Sequence, residues 1–205
     1  MKERFKSFKQ LSAKQKLQYI WDYYKIHIIV TAVLICAIFS IFKTEKNSSS
    51  ADLYIAYVNI VVDDKLTNAL ENNSSLSIGS YRDLLITDDP SGDNLEYAYT
   101  SSMKLMSTIS AGKLDIIIGD SYAMSYAHNA EYLVNMEDYI LKNDSSLLDK
   151  FKPLFLVDET GIPYAINISE LAPFRDAGYT SSVYLGILDT NKGETSVLKL
   201  LSALQ

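Results

Sequence analysis

Residues 113–120 read Lys-Leu-Asp-Ile-Ile-Ile-Gly-Asp. Their aliphatic, mostly β-branched side chains predict a short buried strand, which the Gly-Asp pair closes. Immediately upstream, residues 94–111 predict an amphipathic helix, because apolar residues recur there at three- and four-residue steps. These residues are Leu95, Ala98, Tyr99, Met103, Met106 and Ile109. Gly112 then ends the helix at a position that tolerates a positive φ. A helix therefore leads directly into a buried strand.

The same alternation continues on both sides of this stretch. Residues 52–62 are apolar on both parities, which is typical of a strand buried on both faces. Asp63 and Asp64 supply acids for the first turn of a helix that reaches about residue 72. We expect a weak strand within 76–86, further helices over 121–128, 134–141 and 193–204, and further strands over 151–157, 163–168 and 183–188. This order predicts an α/β domain with a largely parallel sheet and helices on both faces.

A second feature is the uncharged run over residues 28–42, Ile-Ile-Val-Thr-Ala-Val-Leu-Ile-Cys-Ala-Ile-Phe-Ser-Ile-Phe. With the two preceding residues it is long enough to span a hydrocarbon core, at the lower limit, since a helix rises about 1.5 Å per residue. Aromatic residues precede the run where an interfacial belt would lie: Trp21, Tyr23 and Tyr24. We therefore predict a transmembrane signal anchor over 26–42, with membrane lipid contacting residues 21–43.

The hydrophobic run has three other interpretations. A cleaved signal peptide would need a small-residue site, and the nearest lies around Ser48 to Ala51, several polar residues beyond the run. A buried helix of a soluble domain is the second interpretation. A lipoprotein is the third, but Ile35 precedes Cys36 where lipid attachment needs a small residue. Cys36, the one cysteine, cannot form an intrachain disulfide, so we expect the outer domain to be stable without one.

The two sides of the anchor carry opposite charge. Residues 1–25 hold seven Lys or Arg against two acids and are predicted to form a basic cytoplasmic juxtamembrane helix. Residues 43–51 are polar and Ser-rich, which predicts a flexible tether. From residue 51 onward, ten Lys or Arg face twenty-two acids, so the outer domain, 52–205, would repel nucleic acid. We expect a single-pass protein of the cell membrane with its C-terminal domain outside.

The sequence lacks the common catalytic and metal-binding motifs, and we predict that the protein is not an enzyme and has neither cofactor nor metal. His27 and His128 are the two histidines, too few and too distant for a histidine metal site. No Gly-rich phosphate loop, GxSxG or HExxH motif is present. Residues 88–93 contain three aspartates but lack the spacing of a calcium loop, so a solvated turn is favoured.

Several segments together resemble the type 2 periplasmic (solute-binding protein) fold. The motifs are Ile109-Ser-Ala-Gly-Lys-Leu-Asp-Ile-Ile-Ile-Gly-Asp120, Tyr122-Ala-Met-Ser-Tyr-Ala, Leu133-Val-Asn-Met-Glu-Asp-Tyr-Ile140, Gly161-Ile-Pro-Tyr-Ala-Ile166 and the late strand and helix from Val183. The resemblance implies that fold for the outer domain. Only some twenty residues lie between Gly161 and Val183, which leaves room for one lobe. The whole arrangement is also similar to single-pass membrane proteins of Gram-positive bacteria.

These observations are consistent with two functions. The first is a membrane-anchored module that binds a small solute or a peptide, as a transporter accessory or a surface sensor. Its cleft would lie at the carboxyl end of strand 114–118 and be lined by Asp120, Ser121 and Tyr122, with Tyr164 facing them. The alternative is a non-catalytic interaction domain that has lost its ligand and docks on a membrane or cell-envelope partner.

Overall fold

The computed structural model describes residues 21, 24–27, 29–31, 51–89, 94–189 and 194–204. The chain divides into two compact units, Met1–Ser49 and Ser50–Gln205. The described residues of the first unit are helical. Among all described residues, no helix has both the length and the apolar character that a membrane crossing needs. The predicted basic helix, anchor and tether over residues 1–51 lie mostly outside the described residues.

Strand β1 (Leu53–Val58) is the first strand of the second unit. Its side chains alternate between two cores: Leu53, Ile55 and Tyr57 pack on one face of the sheet, and Ala56 and Val58 on the other. All five are fully buried. The prediction of a strand buried on both faces is confirmed, because apolar residues at both parities serve two separate layers of helices.

The sheet has six strands in the order β2-β1-β3-β6-β5-β4. The other strands are β2 (Ile78–Leu84), β3 (Ile116–Gly119), β4 (Phe155–Val157), β5 (Pro163–Asn167) and β6 (Tyr184–Ile187). Strands β2 and β3 both pair with β1 in parallel, whereas the β3–β6, β6–β5 and β5–β4 pairs are antiparallel. The sheet is therefore mixed, and the prediction of a largely parallel sheet is wrong. The sequence pattern shows where strands lie but does not show their direction.

Helices cover both faces of this sheet, as predicted. The first core contains side chains from α1 (Asp64–Ser74), α4 (Met136–Asn143) and α7 (Glu194–Ala203). The second core contains side chains from α2 (Leu95–Ser110) and α3 (Ser121–Asn129). Two single-turn helices, α5 (Leu148–Phe151) and α6 (Phe174–Ala177), and two 3₁₀ turns, Ser145–Leu147 and Lys152–Leu154, complete the described elements. The α/β class is confirmed.

The strand predicted over 151–157 is shorter than expected. Phe151 ends α5, and the chain forms a 3₁₀ turn before β4 begins at Phe155. Pro153 lies inside this turn, and because proline has no amide N–H it cannot donate a hydrogen bond to a strand ladder. The four residues before Phe155 are therefore outside the sheet.

Helix α2 buries a different face from the one that its apolar periodicity favours. Its fully buried positions are Ala98, Ser101 and Leu105. Four larger apolar residues are exposed instead: Leu95, Tyr99, Met103 and Met106. Apolar residues occur on more than one side of this helix, and the side that packs on the second core carries Leu105 with Ile109 partly buried beside it. We call the four exposed residues the α2 stripe.

Candidate functional site

The loops after the three parallel strands meet at a topological switch point. The chain leaves β1 through α1 to reach β2 on one side, and then passes through α2 to β3 on the other side of β1. Helices α1 and α2 lie on opposite faces of the sheet. In such α/β sheets a crevice opens outside the carboxyl ends of the strands, where the two connections diverge.

A cleft of about 630 Å³ lies at this point. Each of the three parallel strands contributes to its wall through the residues at its carboxyl end, and the start of α2 adds two more. The lining residues are Asn59, Ile60, Val61, Asp83, Leu84, Leu85, Ile86, Thr87, Asp88, Asn94, Tyr97, Asp120 and Tyr122. The volume is in the range of small-molecule binding sites.

Asn59 joins the three strand ends into one wall. Its Nδ2 donates to the Ile86 carbonyl at 2.9 Å and to the two Asp120 carboxylate oxygens at 3.2 and 3.3 Å, and its Oδ1 accepts from the Ile86 amide at 2.7 Å. The backbone of Asn59 has a φ of 60°, a left-handed conformation that asparagine adopts more readily than most residues. Sequence reasoning missed Asn59; an asparagine inside an otherwise apolar segment was the available signal.

Asp120 and Tyr122, two of the four predicted site residues, line the cleft. Asp120 is the N-cap of α3, since its Oδ1 accepts from the Ala123 amide at 2.8 Å. Tyr122 lies in the first turn with 36% of its surface exposed. Burial raises the pKa of the Tyr122 hydroxyl, and the nearby carboxylates of Asp88 and Asp120 raise it further. Tyr122 therefore places an accessible aromatic ring beside negative charge.

The other two predicted site residues are not part of this cleft. Ser121 is exposed and is not among the lining residues. Tyr164 is only 7% exposed in the second core, where its ring stacks on His128 with 4.2 Å between centroids. The predicted position of Tyr164 opposite Tyr122 is wrong, because β6 lies between β3 and β5 in the sheet. Tyr164 contacts the last turn of α3, whereas Tyr122 lies in its first turn.

The cleft is acidic and aromatic. Asp83, Asp88 and Asp120 carry its charge, and no lysine, arginine or histidine is among its described lining residues. Tyr97 closes one side, where its hydroxyl donates to the Asp83 carbonyl oxygen. Within the part of the chain that the structure describes, no group of three or more His, Cys, Asp or Glu side chains is arranged to hold a metal ion. The lining groups can accept hydrogen bonds from a bound donor and attract positive charge.

Comparisons of the chain with protein-family models, with curated proteins and with solved structures find no match. The resemblance to type 2 periplasmic binding proteins therefore rests on the sequence motifs alone.

A histidine–aspartate pair lies at the other end of α3. His128 Nε2 is 3.1 Å from Asp158 Oδ2. The second oxygen, Oδ1, accepts from the Thr160 amide, the Thr160 hydroxyl and the Ile162 amide at 2.8, 2.7 and 2.9 Å. The Thr160 hydroxyl and these backbone amides, together with His128, lower the pKa of Asp158 to about 2. These contacts close the β4–β5 turn and connect it to α3, so we interpret the pair as structural.

Proposed function

We propose that the protein is a membrane-tethered, extracytoplasmic binding module for a small solute or a peptide, and that it is not an enzyme. The observation that carries the proposal is the cleft at the carboxyl ends of β1, β2 and β3. Its wall is held together by the Asn59 hydrogen bonds, and its lining offers aromatic rings and hydrogen-bond acceptors. A concave site with a few convergent polar groups at a switch point is the usual place for ligands in α/β sheets.

The relation to type 2 periplasmic binding proteins belongs to the same proposal, with the outer domain as a single lobe. Two of the motifs that carry the resemblance coincide with sheet strands, since β3 spans Ile116–Gly119 and β5 spans Pro163–Asn167. The cleft is formed at one edge of a single sheet. A ligand would therefore bind to a preformed surface, without closure of a second lobe.

The tethered topology is proposed from the charge pattern and the uncharged run over 28–42. Protease added to intact cells or protoplasts is expected to digest residues 51–205 and to leave a short anchored fragment. The control is a cytoplasmic protein in the same cells, which must stay intact. Protection of the whole chain would contradict an extracytoplasmic domain.

Ligand binding can be tested by thermal unfolding of the full-length chain with a panel of sugars, amino acids, oligopeptides and anions. A specific ligand at a hundred times its dissociation constant is expected to add about 2.7 kcal/mol of stability. For a chain of this length that raises the midpoint by about 5–10 °C. Tyr122→Ala should abolish the shift, whereas Ser121→Ala should retain it. An unchanged midpoint across the panel would contradict the proposal.

The interaction-domain alternative is favoured by one observation, the α2 stripe. Tyr99 is 67% exposed and Met103 is 51% exposed, which leaves an apolar helix face open to solvent. If this face binds an envelope partner, Met103→Glu should abolish recovery of the cross-linked partner from membranes, whereas Leu141→Glu, at an exposed position on α4, should not. Equal recovery with both variants would contradict the alternative.

A further inference from the structure

A second cavity lies directly beside the cleft. It measures about 390 Å³ and is lined by the start of α1, by α6 and by Tyr179. Val61 lines both cavities, so one residue forms their common wall. The two cavities border one continuous stretch of the loop after β1, residues 59–63.

Val61 is unusual for an apolar residue that borders two cavities, because 82% of its surface is exposed. Its backbone is nevertheless fixed, since the Tyr179 hydroxyl donates to the Val61 carbonyl oxygen at 2.8 Å. The exposed Val61 side chain therefore projects from an ordered backbone between the two cavities, where a ligand can cover it. We call Val61 the ridge. Covering this side chain removes apolar surface from water, which favours a ligand with an apolar group between its polar ones.

Negative charge predominates on both sides of the ridge. The cleft contributes the carboxylates of Asp83, Asp88 and Asp120. The second cavity contributes Asp63 and Asp176, with Lys65 as its one described cation. A ligand that lies across Val61 therefore meets five carboxylates and the Lys65 ammonium group, and one of these carboxylates, that of Asp176, is also 3.6 Å from Arg175 Nε. The aromatic rings of Tyr97 and Tyr122 add faces that favour a cation in the cleft.

We propose that the ligand is an extended, basic peptide that lies across both cavities over Val61. This inference rests on the proposed function and names its ligand class. Lysine or arginine side chains enter the acidic cavities, and an apolar side chain covers Val61. An extended peptide presents successive side chains on opposite sides, so alternate residues face the protein. The same ammonium chemistry occurs in free diamines, but these carry no apolar side chain to cover Val61.

The test is calorimetric titration of the full-length chain with four probes. The first is the acetylated and amidated hexapeptide Lys-Ser-Val-Ser-Lys-Ser, in which two lysines and the valine between them lie on the same side of an extended chain. In the second and third, glutamate or glutamine replaces lysine, and the fourth probe is 1,5-diaminopentane. The lysine peptide should bind at least about tenfold more tightly than the other three, and its affinity should fall as salt is raised, because exposed charges are screened.

Matched variants test each part of the site. Asp83→Asn and Asp88→Asn should each weaken the lysine peptide about two- to fivefold, which is the effect of one exposed ion pair. The exposed Asp149→Asn, outside both cavities, should leave its affinity unchanged. Val61→Ser should weaken the peptide about threefold and leave the diamine unaffected. Val157→Ser, also at an exposed valine, is its control.

The outcomes separate this inference from the proposed function. Equal binding of the lysine and glutamate peptides overturns the charge argument. If the lysine peptide and the diamine bind equally tightly and Val61→Ser has no effect, the cleft binds small amines. That result overturns the proposal that the ligand is a peptide. If only a neutral or anionic solute raises the unfolding midpoint, the proposed binding function is supported. That result overturns the proposal that the ligand is basic. Absence of binding in every titration and of any thermal shift overturns both.

Discussion

The two halves of the sheet differ in how the chain leaves each strand. In the parallel half, β2-β1-β3, each strand leads into a crossover or a new helix, and the loops diverge to form an open cleft. In the antiparallel half, the chain turns directly from β4 to β5, and the turn is closed by its own hydrogen bonds. The cleft therefore arises from the way the chain connects its strands, since both halves belong to one sheet.

Two aspartates show this difference between the halves of the sheet, since each directly follows the end of a strand. In the turn, Asp158 uses both carboxylate oxygens for Thr160, Ile162 and His128. In the parallel half, Asp120 caps α3 and accepts from Asn59, and it still lines the cleft. The same residue type therefore closes a turn in one half and forms the wall of a cleft in the other.

The largest expected effect is a difference in unfolding free energy between substitutions at the two ends of α3. Tyr164→Ala should lower the free energy of unfolding by about 3–5 kcal/mol, because it removes a buried ring that stacks on His128. Tyr122→Ala, at the cleft, should lower the free energy of unfolding by clearly less than this. Urea unfolding of both variants measures the difference. Equal losses would show that Tyr122 is a core residue and would remove it from the site.

The second prediction concerns glycines in the two halves. A Cβ at position 119 would lie 2.5 Å from the Val58 carbonyl oxygen, whereas one at position 186 would lie 2.9 Å from the end of the Leu133 side chain. A backbone carbonyl cannot move aside as a flexible side chain can. Gly119→Ala should therefore cost about 3 kcal/mol and Gly186→Ala about 1 kcal/mol. Denaturant midpoints test this order, and the reverse order would contradict it.

The third prediction tests the wall of the cleft. Asn59→Ala should cost about 2 kcal/mol, because it removes the bonds to Ile86 and Asp120 and places alanine at a positive φ. Asn59→Gly keeps the conformation accessible and should recover part of this loss. Unfolding in urea is the measurement. If Asn59→Gly and Asn59→Ala lower the free energy of unfolding equally, the left-handed backbone conformation contributes nothing to the loss.

The smallest effect is the pH dependence of the antiparallel turn. The pKa of Asp158 in the folded state, about 2, is below its ordinary value of 3.8. Its contribution to stability is therefore fully present above pH 4 or so and is lost as the pH falls toward about 2. Asp158→Asn should flatten the stability curve in that interval, and Asp149→Asn should not. Urea midpoints over the acid range provide the test, and parallel curves for all three proteins would contradict it.

The sequence predicted much of the fold but only half of the site. Strand β1 and its burial on both faces depend on local patterns and are confirmed. Asn59 was missed because its partners, Ile86 and Asp120, are 27 and 61 residues away in the chain. Tyr164 was placed wrongly because the position of β6 between β3 and β5 depends on strand order. Local periodicity carries no information about either.

By itself the sequence determined the α/β class, because apolar spacing and capping act over a few residues. Helix ends also depend on a few neighbouring residues, as at Gly112, which follows α2 with a φ of 61°. The strand directions, the buried face of α2 and the set of residues that meet in the cleft became known from the three-dimensional structure. These depend on the path of the whole chain, because strand ends come together only when crossovers bring distant segments to the same edge of the sheet.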